Sequence, residues 1–138
     1  DDPGLIPSAI EEMLRWVSPI KNMARSVTRD LEFGGRRLGA GDKVVLLYES
    51  ANFDEAHFDE PDRFDVRRSP NDHVSFGAGA HFCLGASLAR LELRVMFERL
   101  LRRLPDLELA TRAPLARLLT GIEAMPVRFT PTRPVHSG

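Results

Sequence analysis

The chain has 138 residues, 43% of them hydrophobic and 28% charged, with a formal net charge of −1. That length can hold one ordinary core. The charge gives no basic field for nucleic acid, and no apolar run approaches the roughly 20 residues of a membrane span, so no membrane anchor is expected. A single cysteine excludes an internal disulfide and a cysteine-only zinc site, and it fits a reducing, cytoplasmic setting. The opening DDPGLIPSAIEE has no signal-peptide pattern and no initiating Met, so the true beginning is expected upstream.

Residues 5–17 are expected to form a helix. Ser8 and Glu11 fit a capping box, and Ala9, Ile10, Met13, Leu14 and Val17 form an apolar stripe that Pro19 ends. Glu12 and Arg15, three apart, fall opposite that stripe, so periodicity alone makes them a solvated pair. Residues 23–48 carry strand and turn signals: Arg25 to Thr28, turns at Gly34-Gly35 and at Gly39 and Gly41, then the apolar run Val44 to Leu47. Residues 49–82 show no sustained period. An irregular stretch of that length inside a compact domain is usually functional or ordered by something else. A long helix is expected over 84–104, with Leu84, Leu88, Leu91 and Val95 on one stripe, Leu93, Phe97, Leu100 and Leu104 widening it, and Pro105 ending it. Short strands and loops are expected over 106–130. The fold class is therefore mainly α with small β-sheets (α+β), a loop rich in glycine leading into the long helix.

Cys83 lies between that loop and the helix, near the positive end of the helix dipole, which suits a thiolate. Gly77, Gly79 and Gly85 let backbone approach a flat ligand closely. Taken alone, Cys83 reads rather as a small buried core thiol. The string Phe76-Gly77-Ala78-Gly79-Ala80-His81-Phe82-Cys83-Leu84-Gly85 changes that balance. It resembles the haem-ligand loop of the cytochrome P-450 family, F-G-x-G-x-H-x-C-x-G, at every fixed position. Glu12-Met13-Leu14-Arg15 is similar to the family's E-x-x-R signature, and Pro61-Asp62-Arg63-Phe64 to the segment that supplies a third charged partner.

The resemblance runs from about Ile6 to Phe129. It implies the C-terminal portion of the cytochrome P-450 fold, with residues 1–138 forming part of a single domain. The family's oxygen-activating central helix is expected to be missing, since no A-G-x-x-T-type stretch occurs. The implied cofactor is haem b (iron protoporphyrin IX), with Cys83 as axial thiolate and metal ligand, and Phe76, Gly77 and Gly85 shaping its cradle. Arg25 and His81 are candidates for its propionates, although Arg25 also reads as an exposed strand charge. A buried triad of Glu12, Arg15 and Arg63 is implied, against the surface pair that periodicity gives. Lys21, Asn22, Met23, Thr120 and Gly121 are candidate pocket-lining residues for a small hydrophobic substrate, or ordinary packing. His57 and His73 read as solvated loop histidines.

The implied activity is that of a monooxygenase, inserting one oxygen atom of O2 into an organic, sterol-like or lipid substrate. Electrons would come from a ferredoxin-type redox partner and its NAD(P)H-dependent reductase, because no dinucleotide fingerprint occurs here. Arg67, Arg68 and Arg90 are candidates for that docking, or solvated charges. LLYESANFDEAHF and GIEAMPVRFTP resemble soluble actinobacterial members that oxidise sterol side chains. Two rival readings stand: a truncated, non-catalytic haem-binding remnant, and a thiol-based redox protein using Cys83.

Overall fold

The computed structural model describes residues 2–110, 115–117 and 121–130. Two compact units are present, Pro7–Ala86 and a second made of Asp1–Ile6 with Ser87–Gly138.

The first helix, α1, spans Ile6–Val17. It is entered through a 3-10 turn, Pro3–Leu5, whose cap is Asp2: the Asp2 carboxylate accepts the Gly4 N–H at 2.9 Å. Ser8 therefore sits inside the helix and is not its cap, because Asp2 and Pro3 have already turned the chain. Ile6, Ile10 and Leu14 are buried, one apolar row at a spacing of four. Val17, assigned to the same stripe, is 56% exposed. The helix stops at Ser18, which has φ 41° and donates its N–H to the Leu14 carbonyl at 3.0 Å.

Four strands follow: β1 Asn22–Ser26, β2 Leu31–Phe33, β3 Arg36–Leu38 and β4 Lys43–Leu47. β2 and β3 form an antiparallel hairpin joined by Gly34-Gly35, with φ 58° and 72°. A two-residue hairpin loop of type I′ needs positive φ at both positions, which glycine adopts without steric cost. β1 pairs antiparallel with β4, placing Arg25 opposite Val44 and Asn22 opposite Leu47.

A short helix, α2, covers Tyr48–Asn52. The irregular stretch beyond it is held by turns that its own carboxylates close. Asp54 Oδ1 accepts the Ala56 N–H and Asp65 Oδ1 the Arg67 N–H, both at 2.9 Å. Phe53 and Phe64 pack against Trp16, with ring centroids 5.3 and 5.5 Å away.

In the second unit, α3 runs Ala86–Arg103, ahead of Pro105. β5 Glu108–Leu109 pairs with β8 Val127–Arg128, and β6 Leu115–Arg117 with β7 Gly121–Ala124, both antiparallel. On α3 the stripe of Leu88, Leu91 and Val95 is exposed, Leu88 and Leu91 at 59% and 57%, while Leu93, Phe97, Leu100 and Leu104 are half-buried.

Candidate cofactor-binding site

Cys83 ends a loop closed by its own backbone. The Cys83 N–H donates to the Phe76 carbonyl at 2.9 Å, and the Cys83 carbonyl accepts the Ala86 N–H at 3.2 Å. Between these ends lies a 3-10 turn, Gly79–His81. Gly77, at φ 73°, makes the entry bend; a Cβ there would also meet the His81 carbonyl and the Tyr48 hydroxyl, both at 3.5 Å. The Phe76 ring stands edge-on to Phe82, centroids 6.3 Å apart.

Cys83 is exposed. Its neighbours Phe82 and Leu84 present apolar surface, Leu84 being 103% exposed. A Cβ on Gly85 would lie 3.9 Å from Sγ, so any larger side chain there would grow beside the sulfur. An iron porphyrin ligated by a thiolate needs an open sulfur with apolar surface beside it, and these residues fit that requirement. Among the described residues no cluster of three or more His, Cys, Asp or Glu could hold a bare metal ion.

His81 is exposed, on the 3-10 turn of this loop. Arg25 is half-buried on β1, and its Nη1 donates to the neighbouring Ala24 carbonyl at 3.0 Å. Asn22 and Met23 are exposed on the same strand. The Lys21 ammonium pairs with Glu49 and donates to the Val17 carbonyl, the open end of α1. Gly121 begins β7, and Thr120 lies outside the described residues.

A buried polar cluster lies in the same unit, Pro7–Ala86. Glu12 and Arg15 are both fully buried, not the solvated pair that helical periodicity suggests. Arg15 binds Glu12 through two parallel bonds, at 2.8 and 2.9 Å, and donates further to the carbonyls of Asn52 at 2.7 Å and Pro61 at 3.0 Å. Glu12 also accepts the Asp65 N–H at 2.9 Å and the Asn71 side-chain amide at 3.0 Å.

The third charged partner is Arg68, not Arg63. Arg68 Nε lies 3.2 Å from Glu12 with a side chain 10% exposed, whereas the Arg63 guanidinium is turned outward to Glu60 and is 62% exposed. Arg63 contributes its carbonyl instead, accepting from Arg68 at 2.9 Å. Arg68 donates as well to the carbonyls of Asp59 and Glu60, so it is engaged internally and is not a free docking charge. Arg63, Arg67 and Arg68 all line an open cleft of about 310 Å³ in this meander.

Burial alone would raise the Glu12 pKa. The Arg15 hydrogen bonds, the Asp65 N–H and the charges of Arg15 and Arg68 outweigh it, holding the carboxyl below its ordinary range.

His73 is not a solvated histidine: its side chain is 2% exposed and its Nε2 lies 3.1 Å from Glu11. The Ser75 N–H approaches its other ring nitrogen at 3.3 Å, which assigns the Nε2 proton to the Glu11 bond. His57 is exposed, edge-on to Phe58. Three further buried residues carried no sequence signal: Ser18, Asn52 and Ser75. Asn52 donates to Ser18 Oγ at 2.8 Å and to Ser75 Oγ at 2.9 Å, and accepts the Val74 N–H at 2.8 Å. An asparagine at a short-helix end reads locally as an ordinary turn residue.

A family profile described as "Cytochrome P450" matches residues 4–114. A steroid C26-monooxygenase of Mycolicibacterium smegmatis is 59% identical over 97% of this chain and 34% of its own length. A methyl-branched lipid omega-hydroxylase of Mycobacterium bovis is 51% identical over 94% of this chain and 31% of its own. Among solved structures, P450BioI in complex with an acyl carrier protein superposes with a TM-score of 0.87 at 45% identity, covering 94% of this chain and 34% of that one. The chain thus spans about a third of the length of the relatives it matches.

Proposed function

The chain belongs to the cytochrome P450 family, and from that premise we propose that it is the C-terminal, haem-ligating portion of a bacterial monooxygenase domain acting on a sterol-like or methyl-branched lipid substrate. The observation that carries the reading is the exposed Cys83, held in a backbone-closed loop with Phe82 and Leu84 uncovered beside it.

Cys83 would hold the iron of haem b, and Arg25 and His81 would bind its propionates as hydrogen-bond donors. When bound, the haem supplies the activation of dioxygen, with thiolate ligation favouring O–O cleavage. Phe76 and Gly77 shape the loop and Gly85 keeps the space beside Sγ free. Asn22, Met23 and Gly121 are proposed to face substrate. A ferredoxin-type protein and its NAD(P)H-dependent reductase would deliver electrons in the cytoplasm. Among the described residues no helix is long and apolar enough to cross a membrane. The substrate class rests on the likeness to the steroid and lipid hydroxylases.

The test is spectroscopic. The reduced, carbon monoxide-treated protein should show the red-shifted band of a thiolate-ligated haem, and Cys83→Ser should abolish it. Survival of that band in the variant overturns the ligand assignment. Incubation with a side-chain-bearing 3-keto sterol and with a methyl-branched fatty acid, with redox partners supplied, should yield terminally hydroxylated product. Turnover of neither would remove the substrate class while leaving the ligand standing.

A further inference from the structure

Asn52 stands 31 positions before Cys83 in sequence and is fully buried. Its surroundings are specific to an amide. The Ser18 hydroxyl spends its single proton on the Arg15 carbonyl at 2.8 Å, and the Ser75 hydroxyl spends its own on the Leu14 carbonyl at 2.7 Å. Both oxygens therefore turn lone pairs toward position 52 and need donors. The Val74 N–H turns the other way and needs an acceptor. A side chain of this size meets all three demands only if it has an NH2 group and a carbonyl, which fixes the orientation of the amide.

Those partners lie on the path to the Cys83 loop. Val74, whose N–H is held by Asn52, accepts the Gly77 N–H on its carbonyl at 2.8 Å. Ser75, held by Asn52 through its hydroxyl, precedes Phe76, and the Phe76 carbonyl accepts the Cys83 N–H at 2.9 Å. The Asn52 carbonyl in turn accepts Arg15 Nη1 at 2.7 Å, tying the same residue to the buried ion cluster. We propose that Asn52 is a positioning residue for Cys83: its amide fixes Val74 and Ser75, and through them the Phe76 carbonyl that sets the cysteine's place. This rests on Cys83 being the haem ligand.

Asn52→Asp is the sharp test, since it keeps the acceptor for Val74 and places a carboxylate oxygen against two oxygen lone pairs. In the haem-loaded protein at its full length, the variant should lose at least half of the thiolate-type band to the non-thiolate form. Amide hydrogen exchange in the protein as purified should quicken by roughly tenfold or more at residues 74–77 and at Cys83, while the β2–β3 hairpin in the same unit stays unchanged. Ser75→Ala, which removes one of the three ties, should shift the same sites by less. An unchanged band with unchanged exchange at Cys83 overturns the proposal, and so does an equal rise in the hairpin, which would mean general loosening. Should Asn52→Asp not accumulate folded, Ser75→Ala decides: unchanged exchange at Cys83 overturns it. A wild-type protein without the thiolate-type band sinks the ligand reading, and the tie between Asn52 and Cys83 is then judged by exchange alone.

Discussion

The charged cluster around Glu12 and the surface around Cys83 are built on opposite terms. In the cluster, three ionised side chains sit at 0–10% exposure, and hydrogen bonds from named partners surround them. Around Cys83 the side chains are largely apolar, yet Phe82 and Leu84 are left open. A charge can be taken from water only where hydrogen bonds replace its hydration, so the first region is complete in itself. Apolar surface left in water gives up roughly 25 cal/mol for each Å² that a ligand or further chain could cover. The contrast separates a clamp that fixes geometry from a surface shaped to receive something.

The largest effect should come from breaking the clamp. Glu12→Ala leaves Arg15 buried without its carboxylate and should cost about 3–5 kcal/mol in urea denaturation; a loss below about 1 kcal/mol would mean that water reaches the site. Arg68→Ala should come next, at about 2–3 kcal/mol, because its donors hold both Glu12 and the meander carbonyls. Arg63→Ala should stay within about 1 kcal/mol, since its ion pair with Glu60 is exposed. Equal costs for the two arginines would contradict the assignment of the third charge to Arg68.

Acid should act on the same cluster. Glu12 has a folded pKa below its unfolded value of about 4.3. Its contribution is therefore fully present above that unfolded value and is lost as pH falls through the lower folded one. Denaturation midpoints measured from pH 6 down to pH 3 should fall, and Glu12→Gln should flatten the part of that fall due to this group. A midpoint that rises on acidification would reverse the sign.

The smallest effect is expected on the open apolar stripe. Leu88→Ser and Leu91→Ser on α3 should change the stability of the chain alone by no more than about 0.5 kcal/mol, while lowering its binding of a hydrophobic dye. A loss of several kcal/mol would show that the stripe is packed in solution.

Local pattern predicted α1, α3 and the Gly34-Gly35 hairpin because each depends on neighbours within a few residues. The capping-box pattern points to Ser8, whereas Asp2 and a 3-10 turn begin α1 earlier. The buried face of α1 was not legible from periodicity, which assumes that only apolar residues face inward. The segment Pro61–Phe64 points to the Arg63 guanidinium for the triad, but what the fold uses from Arg63 is a carbonyl. Carbonyls occur at every residue and leave no mark on a sequence.

By itself, the sequence determined the family likeness, the place of Cys83 in its loop and the pairing of Glu12 with Arg15, because these are residue types at fixed short spacings. Only the tertiary structure decided that Arg68 completes the ion cluster, that His73 is sheltered against Glu11, and that Asn52 joins α1 to the Cys83 loop. Those bonds span 56, 62, and 22 to 37 positions of chain. Their partners are brought within reach by the fold, and no local preference of the backbone encodes them.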